Sequence, residues 1–377
     1  MLRSMDFDVS LLLDRFDSTI VGLRERYPHT GPGFCAGLAV EGQVVRAEHH
    51  GLGHLEWQQA LAGNTRFYLA SETKFWVAAL VMQAVAAGRI TLDADMRDRL
   101  PALAGAQCPV RLGHLLRHTS GVDDYLYLWR VQLGRSEDDL VTRAQAFELI
   151  RLAGDVDFEP GSRHEYSNSN YLLLADWLER DAGLPLNELA RRRFFEPWKM
   201  HDTSFEQDPR RALPRRARSY RSCADGGWHD LPVNLATWGD GGMWSTLDDL
   251  LRAEARLQED YRQRGSQSLL GLCAEEDGRF GPADLPYRFG IELMRVANRR
   301  MLFHGGGFAG FSSLVLRCPN DESVLVLLAN VEGFEASATW WSERLWSTAQ
   351  PKEGHGGNGA QTVCKDGNVL PHASERR

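Results

Sequence analysis

The sequence predicts an α/β (α+β) protein: an antiparallel sheet flanked by helices, with an all-helical subdomain inserted between the two parts of the sheet. Three observations lead there. Residues 34–57 read as a β-hairpin with a following strand, strand character returns only after residue 288, and most of the stretch between is helical in pattern. Early and late strands share one core only by pairing into a single antiparallel sheet, which leaves the middle as an insertion.

Each element has its own warrant. From Ser10 to about Arg26 the residues Leu12, Phe16, Ile20 and Leu23 recur on one side of a helix, which Pro28 and Gly31-Pro32-Gly33 end. Phe34–Val40 and Gln43–Glu48 are rich in β-formers and flank Glu41-Gly42, a hairpin pattern, and a third strand is expected around Gly53–Trp57. Between Phe75 and Ala87 only Gln83 is polar. A helix there has no solvent face and is buried on all sides, with Gly88 as its C-terminal stop.

Further helices are expected at Leu112–Leu116, Asp138–Leu152, Tyr171–Arg180, Leu186–Phe195 and Thr246–Gln258, the last opened by a Thr246-x-x-Asp249 cap. Strands follow near Arg288–Val296, Phe311–Arg317 and Val324–Asn330, with a Pro319-Asn320-Asp321 turn and a closing helix over Ala336–Trp346. The domain reading is one unit over 1–349, its sheet from about 10–70 and 280–349 and its helical subdomain from about 71–279. Residues 350–377 are polar and read as a disordered tail.

Composition narrows the function. At 377 residues with 43% hydrophobic and 25% charged residues, the chain has the make-up of a globular protein with a sizeable core. A net charge of −8 and the lack of a basic stripe argue against nucleic acid. The longest apolar run is too short for a membrane span. No apolar leader segment with a cleavage site opens the sequence, so a cytoplasmic location is expected. Six cysteines are scattered without a C-x-x-C and suit reduced thiols, and no histidine pair has the spacing of a zinc site.

The chemistry concentrates at Leu69-Ala70-Ser71-Glu72-Thr73-Lys74, where the buried helix starts. Residues at i and i+3 share a helix face, so the Ser71 hydroxyl and the Lys74 amine point together. An unpaired lysine there is costly as a cation, which favours the basic amine, and a hydroxyl beside an amine at a helix N-terminus is an activated nucleophile. A capping serine alone gives the same short pattern. Two distant stretches add to it: Tyr166-Ser167-Asn168, on a loop after Glu159-Pro160-Gly161, and His304-Gly305-Gly306-Gly307, expected to precede a strand.

In that order, Ser-x-x-Lys, Tyr-x-Asn and His-x-Gly resemble the motifs of the serine β-lactamase and penicillin-binding-protein superfamily, specifically its class C-like branch. Leu115-Leu116-Arg117-His118-Thr119-Ser120-Gly121, Gly241-Gly242-Met243-Trp244-Ser245-Thr246 and His304–Phe311 extend the resemblance over roughly residues 30–346. It implies the β-lactamase/transpeptidase-like fold and acyl transfer to water through an acyl-enzyme, with no metal or cofactor and with a small-molecule or short peptide substrate as the partner. By the resemblance, Ser71 is the acylated nucleophile. Lys74 takes its proton, alone or with Tyr166, and Tyr166 passes a proton to the leaving group. The oxyanion hole is the N–H of Ser71 and that of Gly307, while Asn168 orients Lys74 or the substrate amide. His304 and Gly306 complete the substrate-binding set.

One departure matters. Penicillin-recognising members carry Lys-Thr-Gly in the third motif, and His304-Gly305-Gly306 supplies neither the fixed cation nor the hydroxyl. The implied reaction is that of a serine hydrolase on a small ester or amide, of esterase or D-aminopeptidase type. β-Lactamase or D,D-carboxypeptidase activity is the alternative, and an inactive ligand-binding module of the same fold is the non-enzymatic one.

Other signals weigh less. Gly305-x-Gly307-x-x-Gly310 matches a dinucleotide fingerprint but leads into a strand rather than a helix. Cys35 sits in a nucleophile-elbow-like context that also leads into a strand, so it reads as a core thiol. His118 reads as a structural brace, and Glu72 and Glu165 as solvated or capping. Tyr125, Tyr127, Trp129, Trp238 and Trp244 read equally as core or as substrate wall.

Overall fold

A computed structural model of the chain describes residues 7–136, 138–274, 278–282 and 284–347. Its centre is a six-stranded antiparallel sheet. In spatial order the strands are Glu292–Val296, Arg299–Phe308, Phe311–Cys318, Ser323–Ala329, Phe34–Val40 and Gln43–His50. The first hairpin closes through Glu41 and Gly42, both at positive φ (52° and 77°), as a primed turn requires to match the strand twist. Phe34–Val40 then pairs along its whole length with Ser323–Ala329, Phe34 opposite Ala329 and Val40 opposite Ser323. This pairing joins the early strands to the late ones, as the fold class required.

Period-two alternation gives the sheet two apolar faces. Phe34, Ala36, Leu38 and Leu327 pack with Leu12, Phe16 and Ile20 of the N-terminal helix (Val9–Arg26) and with Trp341 of the C-terminal helix (Ala338–Trp346). Cys35, Ala39, Val326 and Leu328 face the other way, into the larger core with the Thr73–Ala86 helix and the Leu247–Arg264 helix. Thr73–Ala86 is buried from Thr73 through Met82, which accounts for its continuous apolar run.

The structure moves several boundaries. The helix expected from Asp138 begins at Arg143, because Thr142 and Gln145 form a reciprocal capping box there. The strand expected over Arg288–Val296 starts at Glu292. A strand absent from the sequence reading, Arg299–Phe308, carries His304-Gly305-Gly306-Gly307 within it rather than before it. The expected tail, 350–377, lies outside the described residues. Among the described residues, no helix is long and apolar enough to cross a membrane, and five cysteines are free.

Glu72, expected to be solvated, is wholly buried. Its carboxylate accepts from Trp76 Nε1 at 3.2 Å and lies 4.0 Å from Arg317. Arg317 is committed elsewhere: its guanidinium grips Glu254 through two bonds of 2.8 and 2.7 Å and stacks 4.5 Å from the Phe75 ring. Burial pushes the Glu72 carboxyl up to about 8, with Arg317 opposing. Removing one member of a buried ion pair strands the other charge, at a cost of about 3 kcal/mol or more. Glu254→Gln is therefore expected to lower unfolding stability by about that amount, read as a fall in the urea midpoint at unchanged slope.

Candidate functional site

Ser71 does not open a regular α-helix. It sits in a single 3-10 turn, Ala70–Glu72, that leads into Thr73–Ala86. Ala70 is at φ 47°, a left-handed conformation that costs a non-glycine residue energy and is held by its surroundings. Two contacts hold it. Ser313 Oγ donates to Leu69 O at 2.7 Å. Gly306 presses so closely on the turn that a Cβ there would lie 2.8 Å from Ser71 N and closer still to Leu69 O. Only glycine fits at that point, so the third motif serves as the anvil for the first.

Lys74 is completely buried. Its Nζ donates to Ser71 Oγ at 3.0 Å, to Asn168 Oδ1 at 2.8 Å and to the Asp240 carbonyl at 2.8 Å. The amine is therefore paired, not the unpaired lysine that the sequence suggests. The Tyr166 ring stands 4.8 Å from Nζ and the Tyr171 ring 6.0 Å. The structure thus brings Ser71, Lys74, Tyr166 and Asn168 together from two distant parts of the chain.

Each partner is itself positioned. Asn168 is the first residue of the Asn168–Ala182 helix, and Asp124 Oδ2 accepts from both its backbone N–H (2.7 Å) and its Nδ2 (2.9 Å). That fixes the amide with its oxygen toward Lys74. Asp124 also caps the next turn by accepting from Leu126 N at 2.7 Å. His118 is fully buried at φ 54° and stacks 4.2 Å from the Tyr166 ring. Its Nδ1 accepts from Ser167 N at 3.2 Å and faces Asn170 Nδ2 at 3.1 Å. The His-Thr-Ser-Gly turn is thereby the brace of the Tyr166 loop.

His304 lies beneath its strand with its ring wholly enclosed. Nδ1 meets the Gly305 carbonyl at 2.7 Å and so carries the proton, while Nε2 accepts from Tyr287 Oη at 3.1 Å. Burial, reinforced by the Lys74 charge, drives the imidazole down to about 3, so it is neutral. Burial likewise holds His118 well below the ordinary histidine range, with the Lys74 charge adding to it. At this position the cavity is lined by Gly305, Gly306 and Gly307 and not by the imidazole. Arg299–Phe308 is paired on its outer side as far as Phe303, opposite Glu292, and among the described residues no strand continues that pairing along His304–Phe308. A cavity of about 590 Å³ runs along it, lined by Ser71, Arg130, Leu231, Gly307, Phe308 and Phe334. A Cβ built on Gly307 meets nothing within 4 Å.

The aromatic residues split. Tyr125, Trp129, Trp238 and Trp244 are buried core, and Tyr127 is exposed. Glu165 is exposed and pairs with Arg163 at 2.9 Å. Sequence reading missed Asp124, Asp240, Ser313 and Tyr287. Asp240 stands directly before the Gly241-Gly242 stretch, and a carboxylate inside a glycine loop was the available signal. Among the described residues no cluster of His, Cys, Asp or Glu could hold a metal ion.

The beta-lactamase family model matches residues 17–349. A D-aminopeptidase of Brucella anthropi is 28% identical over 309 residues, covering 81% of this chain and 57% of the relative. The chain thus spans somewhat over half the length of such curated relatives. In three dimensions the chain is similar to an octameric penicillin-binding protein homologue from Pyrococcus abyssi, with TM-score 0.70, 21% identity, and 89% of this chain and 75% of that one covered. It is also similar to a D-amino acid amidase from Ochrobactrum anthropi SV3, solved with L-phenylalanine amide, with TM-score 0.68, 23% identity, and 89% and 97% covered. The fold is therefore that of the β-lactamase/transpeptidase group.

The neutral histidines make a prediction. A histidine held below its ordinary value is stabilising above that value, and the contribution is lost as pH falls through the ordinary value toward the folded one. Unfolding stability should therefore fall between about pH 6.5 and about pH 3, with His304 set near 3. Urea titrations across that window should show a shallower pH slope for His304→Gln than for the parent chain.

Proposed function

Because the chain belongs to the beta-lactamase family, we propose that it is a serine hydrolase cleaving a small ester or amide through an acyl-enzyme on Ser71. The observation that carries this is the 3.0 Å bond between Lys74 Nζ and Ser71 Oγ inside a buried, fully oriented network beside a cavity. In its amine form Lys74 takes the proton as Ser71 Oγ attacks the substrate carbonyl carbon. The oxyanion develops against the N–H groups of Ser71 and Gly307, two donors each worth about 3 kcal/mol in such sites. Collapse breaks the bond to the leaving oxygen or nitrogen, which receives a proton by way of Tyr166. Water then attacks the acyl carbon, its proton returns through the same groups, and Ser71 is released. Asn168 keeps Lys74 aimed at the hydroxyl.

The substrate reading rests on what faces the cavity. His304 is neutral and enclosed, and Gly305 has no hydroxyl, so nothing at the third motif favours a carboxylate. Substrates uncharged next to the scissile bond fit better, which supports the esterase or D-aminopeptidase type over penicillin or D,D-peptide cleavage. The D-aminopeptidase and D-amino acid amidase similarities point the same way. Hydrolysis of p-nitrophenyl acetate and of D- and L-phenylalanine p-nitroanilide should exceed that of benzylpenicillin in kcat/KM. Ser71→Ala should abolish it. A preference for benzylpenicillin would reverse the substrate assignment.

The anvil at Gly306 gives a paired test. Gly306→Ala must displace the Ser71 turn, and a displacement of about 1 Å costs roughly a hundredfold in rate. Gly307→Ala has open space in front of its Cβ. With p-nitrophenyl acetate, kcat/KM should drop far more for Gly306→Ala than for Gly307→Ala.

A further inference from the structure

One buried acid near the nucleophile has no role in the steps above. Asp240 lies in the loop Gly239-Asp240-Gly241-Gly242, and its backbone carbonyl is the third acceptor of Lys74 Nζ, at 2.8 Å. The residue is only 3% exposed and does not line the cavity. Its Oδ2 accepts from Tyr125 Oη at 2.6 Å, and the same phenol meets Thr237 Oγ1 at 3.0 Å. Its Oδ1 is buried with no hydrogen-bond partner among the described residues. A carboxylate oxygen left without a donor in the interior is costly unless a positive charge lies near. The cation whose field reaches it is Lys74.

The loop itself is set by glycine. Gly239 is at φ 107° with Tyr171 O only 2.5 Å from where a Cβ would sit, and Gly242 is at φ 88°. Gly242 N donates to Tyr68 Oη at 3.0 Å. The path of this backbone is thus fixed on both sides of Asp240, and the Tyr125 phenol fixes the carboxyl between them.

We propose that Asp240, held by Tyr125, is the counter-charge of Lys74 and sets the pH above which Lys74 becomes the base for Ser71. Both are positioning residues, since neither reaches the cavity. The idea rests on the hydrolase reading above. Further groups described around Lys74 are two histidines, two tyrosines and Asp124. His118 and His304 are neutral, and Tyr166 and Tyr171 present their rings. Asp124 acts on Lys74 through Asn168 and adds a second negative field at Asp240. Burial raises the Asp240 carboxyl above the ordinary range while Lys74 opposes the rise, the pattern of an acid whose ionised form depends on its neighbour.

The test is the pH dependence of Ser71 labelling by a fluorophosphonate, followed by intact mass on the full chain from about pH 5 to about pH 10. In Asp240→Asn the amide oxygen still accepts from Tyr125 and the backbone carbonyl stays, but the charge is gone. Lys74 then loses its proton more readily, and the acid limb of the labelling rate should move to lower pH by about one unit or more. Tyr125→Phe, which removes the donor that stabilises the ionised carboxyl, should move the limb in the same direction by less. Acid limbs at the parental pH in folded Asp240→Asn and Tyr125→Phe would overturn the proposal, whatever their effect on amplitude. If Asp240→Asn does not fold, an unmoved limb in Tyr125→Phe overturns it alone. A parent chain that is not labelled at any pH overturns the hydrolase reading first, and the proposal with it.

Discussion

A lysine amine shut away from water must find acceptors, and much of this structure exists to give Lys74 three of them. The Ser71 hydroxyl comes from its own turn, the Asn168 amide from 94 residues on and the Asp240 carbonyl from 166 residues on. Satisfying one ammonium therefore ties the Thr73–Ala86 helix to the start of the Asn168–Ala182 helix and to the loop holding Asp240. The geometry that meets the desolvation cost of the lysine also aims it at a hydroxyl. Stability and chemistry are here the same set of hydrogen bonds.

Around this centre the two buried histidines are neutral. His304 and His118 both contact aromatic rings and backbone groups that suit the neutral imidazole, and both feel the Lys74 charge. Below the nucleophile, Arg317 is neutralised by Glu254 and covered by Phe75. In the proposed reaction the proton transfers fall to Lys74 and Tyr166. Along Arg299–Phe308 the cavity is lined by the backbone of Gly305, Gly306 and Gly307.

The sequence was most informative where pattern and physics coincide. The apolar run Phe75–Ala87 could only be an enclosed helix, and Glu41-Gly42 could only be a tight reversal. Ser71, Lys74, Tyr166 and Asn168 were legible as motifs, and the fold brings them together. The strand holding His304 was not legible, because three successive glycines carry no β-propensity and the pairing comes from neighbours far along the chain. Asp124 and Asp240 carry no sequence signal of their role, and Glu72 reads as solvated or capping, for a related reason. A carboxylate in a linear sequence looks like surface, and only the folded state shows that it is buried and what it faces.

The central claim is that Ser71, activated by Lys74, carries the acyl group. Rapid mixing with p-nitrophenyl butyrate, acid quench and peptide mass mapping tests it most directly. The account predicts one butyryl adduct on the peptide containing Ser71, formed with a matching burst of p-nitrophenol, and none of either in Ser71→Ala. An adduct on a different residue, or full turnover by Ser71→Ala, would contradict it.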